Sequence, residues 1–171
     1  VPIFSDEEAI AIAKSKGVGY HVRDEYYASS ECNNSEFFEN LARSIDGDFL
    51  MYSPPTAPLI SVSTYYDFIN TFSNLPKKHD SLLTAAYVKE HLWLEGSPLN
   101  YDPKNAPNTQ DLPDVLKLTY GACLISKHNM EVCKNVVGNS PMFYVVDDLE
   151  SIDIDTPLDF EFAEFLYKKH H

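Results

Sequence analysis

The residues best suited to chemistry lie in an acidic segment near the end of the chain, where residues 151–157 read SIDIDTP. Successive residues of an extended chain point to opposite sides. Asp153 and Asp155 would therefore face one spot, with their Cα atoms about 7 Å apart, while Ile152 and Ile154 face the core. Two carboxylates at the end of a strand suit Mg²⁺, which usually takes one or two carboxylates together with phosphates and water. The spacing is compatible with a magnesium site at Asp153 and Asp155.

A second interpretation of the same carboxylates stays open on spacing alone. Residues 156–159 (TPLD) form a predicted capping box, with a proline at the first helical position. Acidic residues just before a helix are also stabilised by the positive end of its dipole. Asp153 and Asp155 would then serve only the last helix, whose apolar residues extend from Leu158 to Leu166.

The elements that must position this segment begin with a strand, a helix and a strand. Residues 1–4 are short and apolar, and residues 5–8 (SDEE) read as a capping box with Ser5 as the cap. The helix that follows ends at Gly17, and residues 19–22 predict a second strand. This order is typical of a parallel α/β sheet.

The middle of the chain continues the alternation. Residues 48–52 (DFLMY) predict a central strand covered on both faces, and residues 53–59 (SPPTAPL) form a stiff loop at its carboxyl end, where ligands bind in open α/β sheets. The remaining elements are a helix after residues 33–35, a helix led by Ser63 or Thr64, and strands over 81–88, 116–126 and 142–146.

Composition excludes several classes of function. The 171 residues contain 26 acidic and 13 basic side chains, a net charge of −13, which opposes binding to nucleic acids and to anionic membranes. No apolar run reaches the length of a membrane span. The three cysteines show no zinc-ribbon or disulfide pattern, and the histidines show no triad or zinc spacing. His170 and His171 receive no role.

Residues 151–166 (SIDIDTPLDFEFAEFL) resemble the C-terminal signature of the acylneuraminate cytidylyltransferase family, which includes the CMP-sialic acid synthetases. Other segments match that family in the same order. These are residues 4–8 with Gly17, Arg23 with residues 28–29, residues 55–59, residues 109–113, and Gly121 with Ala122. The resemblance covers nearly the whole chain, and only the C-terminal phrase is specific by itself.

The resemblance implies a fold and an activity. The expected fold is α/β: a single domain over residues 1–171 with a three-layer, Rossmann-like nucleotide-sugar transferase architecture, a mainly parallel sheet and a projecting dimerisation hairpin at about 89–110. The expected reaction transfers CMP from CTP to the anomeric hydroxyl of a nonulosonic (sialic-acid-like) sugar acid and releases pyrophosphate. It would serve surface-glycan or lipopolysaccharide synthesis in the cytoplasm, and a homodimer is expected.

The resemblance also implies roles for individual residues. Asp153 and Asp155 would be the catalytic metal ligands for Mg²⁺. Arg23, Asn34 and Thr56 would contact the nucleotide, and Gln110 would contact the sugar.

Several positions depart from the family pattern. Its glycine-rich nucleotide loop (R-x-G-S-K-x-x-x-x-K-N) is absent, and the chain begins downstream of its place. Pro54 replaces a glutamine, Ile60 and Thr109 replace arginines, and Tyr120 replaces an asparagine. The departures have two interpretations: a different sugar acid or divergent subfamily, or a truncated or non-catalytic homologue that dimerises or binds without turnover.

Overall fold

The computed structural model describes residues 3–4 and 6–170. The strands are β1 (Ile3–Phe4), β2 (His21–Val22), β3 (Phe49–Tyr52), β4 (Ser81–Val88), β5 (Trp93–Leu94), β6 (Ser97–Pro98), β7 (Val115–Ser126) and β8 (Pro141–Val145). The α-helices are α1 (Glu7–Ser15), α2 (Asn34–Ser44), α3 (Val62–Ser73), α4 (Lys127–Cys133) and α5 (Pro157–His170). The protein is mixed α/β with a mainly parallel core sheet, which confirms the expected fold class.

The described strands form three sheets. β1 pairs with β2 in parallel, β5 pairs with β6 antiparallel, and the four-stranded sheet has the order β3-β7-β4-β8. The chain divides into two compact units. One contains the described residues up to Met51 with Leu75–Ser81 and Leu124–Pro141, and the other contains Tyr52–Asn74, Leu82–Cys123 and the described residues from Met142 onwards.

The first strand–helix–strand unit forms as predicted, but its helix begins differently. In the parallel pair, Ile3 lies opposite His21 and Phe4 opposite Val22. The prediction of Ser5 as the cap is wrong, because the Asp6 carboxylate caps α1 by accepting from the backbone N–H of Ala9 at 2.9 Å. Ser5 itself, like Val1, Pro2 and His171, lies outside the described residues.

The prediction that β3 is covered on both faces is also wrong. Leu50 is 8% exposed, whereas Phe49 and Met51 are 59% and 43% exposed. Because alternate residues of a strand point to opposite faces, only the Leu50 face is covered. β3 is the end strand in the order of the four-stranded sheet, so its apolar sequence did not indicate a central position.

Helix starts follow local capping chemistry. Asn33 caps α2 in a capping box with Glu36, within the predicted 33–35 window. Ser61 caps α3 by accepting from Thr64 N–H at 3.1 Å, so that helix begins before the predicted Ser63 or Thr64. Helix α4 followed from none of the sequence patterns.

Buried threonines join β4 to β7 in the second unit. The Thr84 hydroxyl oxygen accepts from the Thr119 hydroxyl at 2.8 Å and from the Ala122 N–H at 3.0 Å. Thr84 is fully buried and Thr119 is 4% exposed, so each hydroxyl needs such a partner. This network holds β7 in place just before Tyr120 and Gly121.

Gly121 lies where the backbone of β7 approaches the loop after β3. A Cβ atom at this position would lie 2.1 Å from Ile60 Cδ1 and 3.4 Å from Ala57 Cβ. β7 therefore continues through Gly121 rather than breaking there, and the missing side chain permits the close approach.

We predict that Gly121→Ala lowers the free energy of unfolding by about 1–3 kcal/mol, because the added methyl group overpacks the Ile60 contact. The measurement is urea unfolding, and Gly121→Ala combined with Ile60→Ala should recover most of the loss. Gly19→Ala is the control, since nothing lies within 4 Å of its added Cβ. An unchanged stability of Gly121→Ala would contradict the close packing.

Candidate functional site

The loop after β3 is held against β7 by the Ser53 side chain. Ser53 Oγ donates to the Gly121 carbonyl oxygen at 2.9 Å and lies 2.6 Å from the Tyr65 hydroxyl. Farther along the loop, Ala57 and Leu59 are buried. Prolines at 54, 55 and 58 limit the backbone freedom of this loop. The loop is therefore a rigid element at the carboxyl end of a strand.

The acidic segment lies beside this loop. The Ile154 N–H donates to the Thr56 carbonyl oxygen at 2.9 Å. The predicted nucleotide residue Thr56 is thus brought next to the predicted metal residues Asp153 and Asp155 within one unit.

The Ile154 side chain faces a cavity of about 240 Å³ between the loop and α5. Neither Asp153 nor Asp155 lines this cavity. Its lining residues are Pro55, Pro58, Leu59, Ile154, Phe160, Ala163, Glu164 and Tyr167.

Asp153 carries an unusual oxygen. Its Oδ1 atom is buried and has no hydrogen-bond partner among the described residues, while Asp155 is exposed. A buried carboxylate oxygen without a partner is costly unless a proton, water or cation satisfies it. No group of three or more His, Cys, Asp or Glu residues in the described part of the chain is arranged to hold a metal. A pair of carboxylates fits Mg²⁺ when phosphates and water supply the other ligands.

Helix α5 is capped without either aspartate. The Asp159 carboxylate accepts from the Thr156 N–H and from the Thr156 hydroxyl, each at 2.8 Å, and from the Asp155 N–H at 3.2 Å. Asp159 N–H donates back to Thr156 Oγ1 at 3.3 Å, which completes the predicted capping box. These bonds, led by the one from the Thr156 side chain, lower the pKa of Asp159. The side chains of Asp153 and Asp155 are therefore not the N-cap of α5.

Two further predicted residues lie together at the start of α2. The Arg23 guanidinium lies over the Phe37 ring, 5.6 Å from its centroid, and Asn34 is the first residue of the helix. Tyr26 donates to the Glu36 carboxylate at 2.9 Å, and this hydrogen bond raises the pKa of Tyr26. Arg23 and Asn34 thus lie near the positive end of a helix, where anions are stabilised.

Gln110 lies in a short 3₁₀ helix, Thr109–Asp111, and its side chain is exposed. The segment that contains it is tied at its base, because Lys89 Nζ donates to the Leu112 carbonyl at 2.8 Å and to Asp114 at 2.6 Å.

The structure shows the local setting of two of the departures from the family pattern. The end of the Ile60 side chain packs beside Gly121. At this position an apolar side chain therefore fills space next to β7, where the family has a polar arginine. Tyr120 has a φ of +52°, which asparagine adopts more readily than tyrosine.

Solved structures share this fold at low sequence identity. 4-Diphosphocytidyl-2C-methyl-D-erythritol synthase from Anaerococcus prevotii matches with a TM-score of 0.65 at 14% identity, over 96% of this chain and 75% of that one. CMP:2-keto-3-deoxy-manno-octonic acid synthetase complexed with CTP matches with a TM-score of 0.66 at 10% identity, over 99% and 80%. The bifunctional IspDF from Campylobacter jejuni matches with a TM-score of 0.61 at 12% identity, over 93% and 40%.

These similarities show that the chain has the Rossmann-like fold of these solved structures. The sequence matches no protein-family model and no curated protein. In the part of the chain that the structure describes, no helix is long and apolar enough to cross a membrane.

Sequence patterns missed two groups that shape the site. Ser53 and Tyr65 hold the loop, and Glu150 accepts from the Ser61 N–H at 2.9 Å and from the Thr64 hydroxyl at 2.7 Å at the start of α3. These partners are separated by 12 to 89 residues, so no local motif reports them. The one available signal was the small Gly121, which marks a close backbone approach.

We predict that Asp159→Ala lowers the melting temperature at pH 7, because α5 loses its capping carboxylate. The lowered pKa means that this stabilisation is present above about pH 4, the usual pKa of an unfolded aspartate, and disappears as the pH falls through the still lower folded value. The melting temperatures of wild type and variant should therefore converge toward pH 2. Glu161→Ala, on the same helix, is the control; a gap that stays constant with pH would contradict the capping role.

Proposed function

We propose that the protein transfers CMP from CTP to the anomeric hydroxyl of a nonulosonic sugar acid in an Mg²⁺-dependent reaction that releases pyrophosphate. The observation that carries the proposal is the buried, unpartnered Oδ1 of Asp153 beside the Thr56 loop. Two proteins that share the fold support it, one named for a diphosphocytidyl product and one complexed with CTP. The latter is a synthetase for a sugar acid, the class of acceptor proposed here.

The proposed chemistry is a displacement at phosphorus. The acceptor hydroxyl oxygen bonds to the α-phosphorus of CTP, the bond between that phosphorus and the bridging oxygen breaks, and pyrophosphate leaves with the electron pair. The hydroxyl proton passes to solvent. Such a reaction asks the protein mainly for positioning and charge stabilisation. Magnesium, when bound, neutralises charge on the phosphates.

The proposed Mg²⁺ ligands lie in the second unit. Asp153 and Asp155 would hold Mg²⁺, and the Thr56 loop would fix their position through the hydrogen bond from Ile154. The net charge of −13 makes such a cation important, because a triphosphate would otherwise meet an acidic surface.

The other proposed contacts are Arg23 and Asn34 with the nucleotide and Gln110 with the sugar acid. Arg23 supplies a permanent positive charge near the start of α2. Gln110 has an exposed amide, which donates to and accepts from hydroxyl groups.

We also propose a homodimer through the segment at about 89–110. The turn between β5 and β6 has positive φ at both Glu95 and Gly96, as in a tight hairpin. The hairpin exposes Trp93 (56%), Leu94 (60%) and Leu99 (57%). Exposed large apolar side chains on an ordered hairpin are typical of an interface.

We predict that Asp153→Asn and Asp155→Asn each lower turnover by about a hundredfold or more, because the metal stabilises transition-state charge worth several kcal/mol. Melting temperatures without ligand should change little. The assay is pyrophosphate release from CTP and Mg²⁺ with N-acetylneuraminic acid, 2-keto-3-deoxy-manno-octonic acid and related sugar acids. Asp148→Asn removes a nearby exposed charge and is the matched control.

Release of pyrophosphate at the wild-type rate by both variants would overturn the metal role. If wild-type protein binds CTP but releases no pyrophosphate with any of these acids, the non-catalytic alternative replaces the transferase.

We predict that Trp93→Glu raises the dimer dissociation constant at least about tenfold, because a buried interfacial tryptophan would be replaced by a charge. Light scattering after size-exclusion chromatography measures the mass over a dilution series. Tyr66→Glu changes an exposed aromatic residue on α3 (69%) and should leave the mass unchanged. A monomeric wild type at all concentrations would refute the dimer.

A further inference from the structure

Tyr120 has a backbone conformation that tyrosine rarely adopts. Among the described non-glycine residues, Glu95, Tyr120 and Lys134 have positive φ values of 49°, 52° and 54°. Glu95 lies in the turn of a hairpin and Lys134 ends α4, and left-handed residues are common at both kinds of position. Tyr120 differs because it lies inside β7, where a bulky side chain makes positive φ a steric outlier.

The neighbours of Tyr120 impose this conformation. On one side, the buried Thr119 hydroxyl is bonded to Thr84 at 2.8 Å. On the other side, Gly121 packs against Ile60 and its carbonyl accepts from Ser53 at 2.9 Å. The backbone on each side of Tyr120 is therefore fixed.

The side chain itself is not enclosed. Tyr120 is 39% exposed, whereas Thr119 is 4% exposed and Ala122 is 1% exposed. Packing in the core therefore does not account for an aromatic residue here. Asparagine or glycine would adopt the same backbone with less strain.

The position of Tyr120 suits contact with a ligand. Ser53 directly follows β3, and its bond to Gly121 brings Tyr120 beside the carboxyl end of that strand, where open α/β sheets bind ligands. Left-handed residues inside strands are typical of bulges, which re-aim side chains next to active sites. Strained residues of this kind also cluster at functional sites.

We propose that Tyr120 is a specificity-determining residue whose ring packs against a ring face of the bound substrate. The shared chemistry is a flat or C–H-rich face, which either the cytosine base of CTP or the sugar ring of the acceptor supplies. This inference rests on the proposed function, since it places the ring in the same substrate site.

Three variants separate the ring from the backbone strain. Tyr120→Asn removes the ring and relieves the backbone strain. Tyr120→Leu removes the ring but keeps the strain, because leucine also adopts a positive φ unfavourably. Tyr120→Phe keeps the ring. Lys134→Asn relieves a left-handed residue at the end of α4, outside the proposed substrate and dimer contacts, and is the control for strain alone.

Isothermal titration calorimetry with CTP and Mg²⁺ gives one dissociation constant. Titration with N-acetylneuraminic acid and 2-keto-3-deoxy-manno-octonic acid in the presence of Mg²⁺ and α,β-methylene-CTP, from which pyrophosphate cannot leave, gives the other. We expect Tyr120→Asn to raise the melting temperature by about 2–4 °C and to weaken one of these affinities about tenfold. Tyr120→Leu should weaken the same affinity, while Tyr120→Phe and Lys134→Asn remain within twofold of wild type.

The affinity that falls identifies the source of the ring face. Loss of CTP affinity assigns Tyr120 to the base, and loss of sugar-acid affinity at unchanged CTP affinity assigns it to the acceptor. If Tyr120→Asn does not fold, Tyr120→Leu decides the question alone. Affinities within twofold of wild type for a folded ring-less variant would overturn this inference while the proposed function stands. Absence of CTP binding by wild-type protein would overturn both.

Discussion

The hydrogen bond from the Ile154 N–H to the Thr56 carbonyl oxygen is the interaction on which the candidate site depends. It ties a short acidic segment with no strand pairing of its own to a loop stiffened by prolines. The loop is in turn held to β7 by Ser53 and by the packing of Ile60 against Gly121. The Glu150 carboxylate, just before the acidic segment, adds a second tie by accepting from the Ser61 N–H at 2.9 Å.

The acidic residues of this segment have different roles: Asp159 caps a helix, whereas Asp153 does not. Thr156 and Asp159 satisfy the exposed N–H groups at the start of α5. This leaves Asp153 with a buried oxygen that no described residue satisfies. Proteins rarely bury a carboxylate oxygen in this way unless a cation, water or proton completes it. The unsatisfied buried oxygen of Asp153, rather than the position of this residue in a motif, is the strongest sign of a ligand.

The close approach at Gly121 explains both stability and strain in the same part of β7. Because no side chain fits at Gly121, the loop packs directly on the strand, and Tyr120 beside it takes a left-handed conformation. Contacts of Thr119 and Gly121 limit the backbone freedom on both sides of Tyr120. A backbone that is already held lowers the entropic cost of binding a ligand.

Part of the structure could be predicted from the sequence because it depends on local interactions. The cap of α2 within residues 33–35 and the capping box of α5 depend on residues only a few positions apart, and the parallel β1–β2 pair joins the ends of one short strand–helix–strand unit. The start of α1 was missed by one residue, because Asp6 and Ser5 are both good caps and the pattern does not choose between them. The apolar run of β3 was misread because its composition reports hydrophobicity but not the number of neighbouring strands.

By itself, therefore, the sequence determined the α/β class, the starts of α2 and α5, the longer strands, and which two carboxylates stand close along the chain. Tertiary structure alone decided that Asp153 has a buried, unpartnered oxygen, that Ile154 bonds to a loop about a hundred residues away in sequence, and that Tyr120 is strained and exposed. The reason is that burial and hydrogen-bond satisfaction depend on every group that packs around an atom. Residues distant in sequence supply most of those groups.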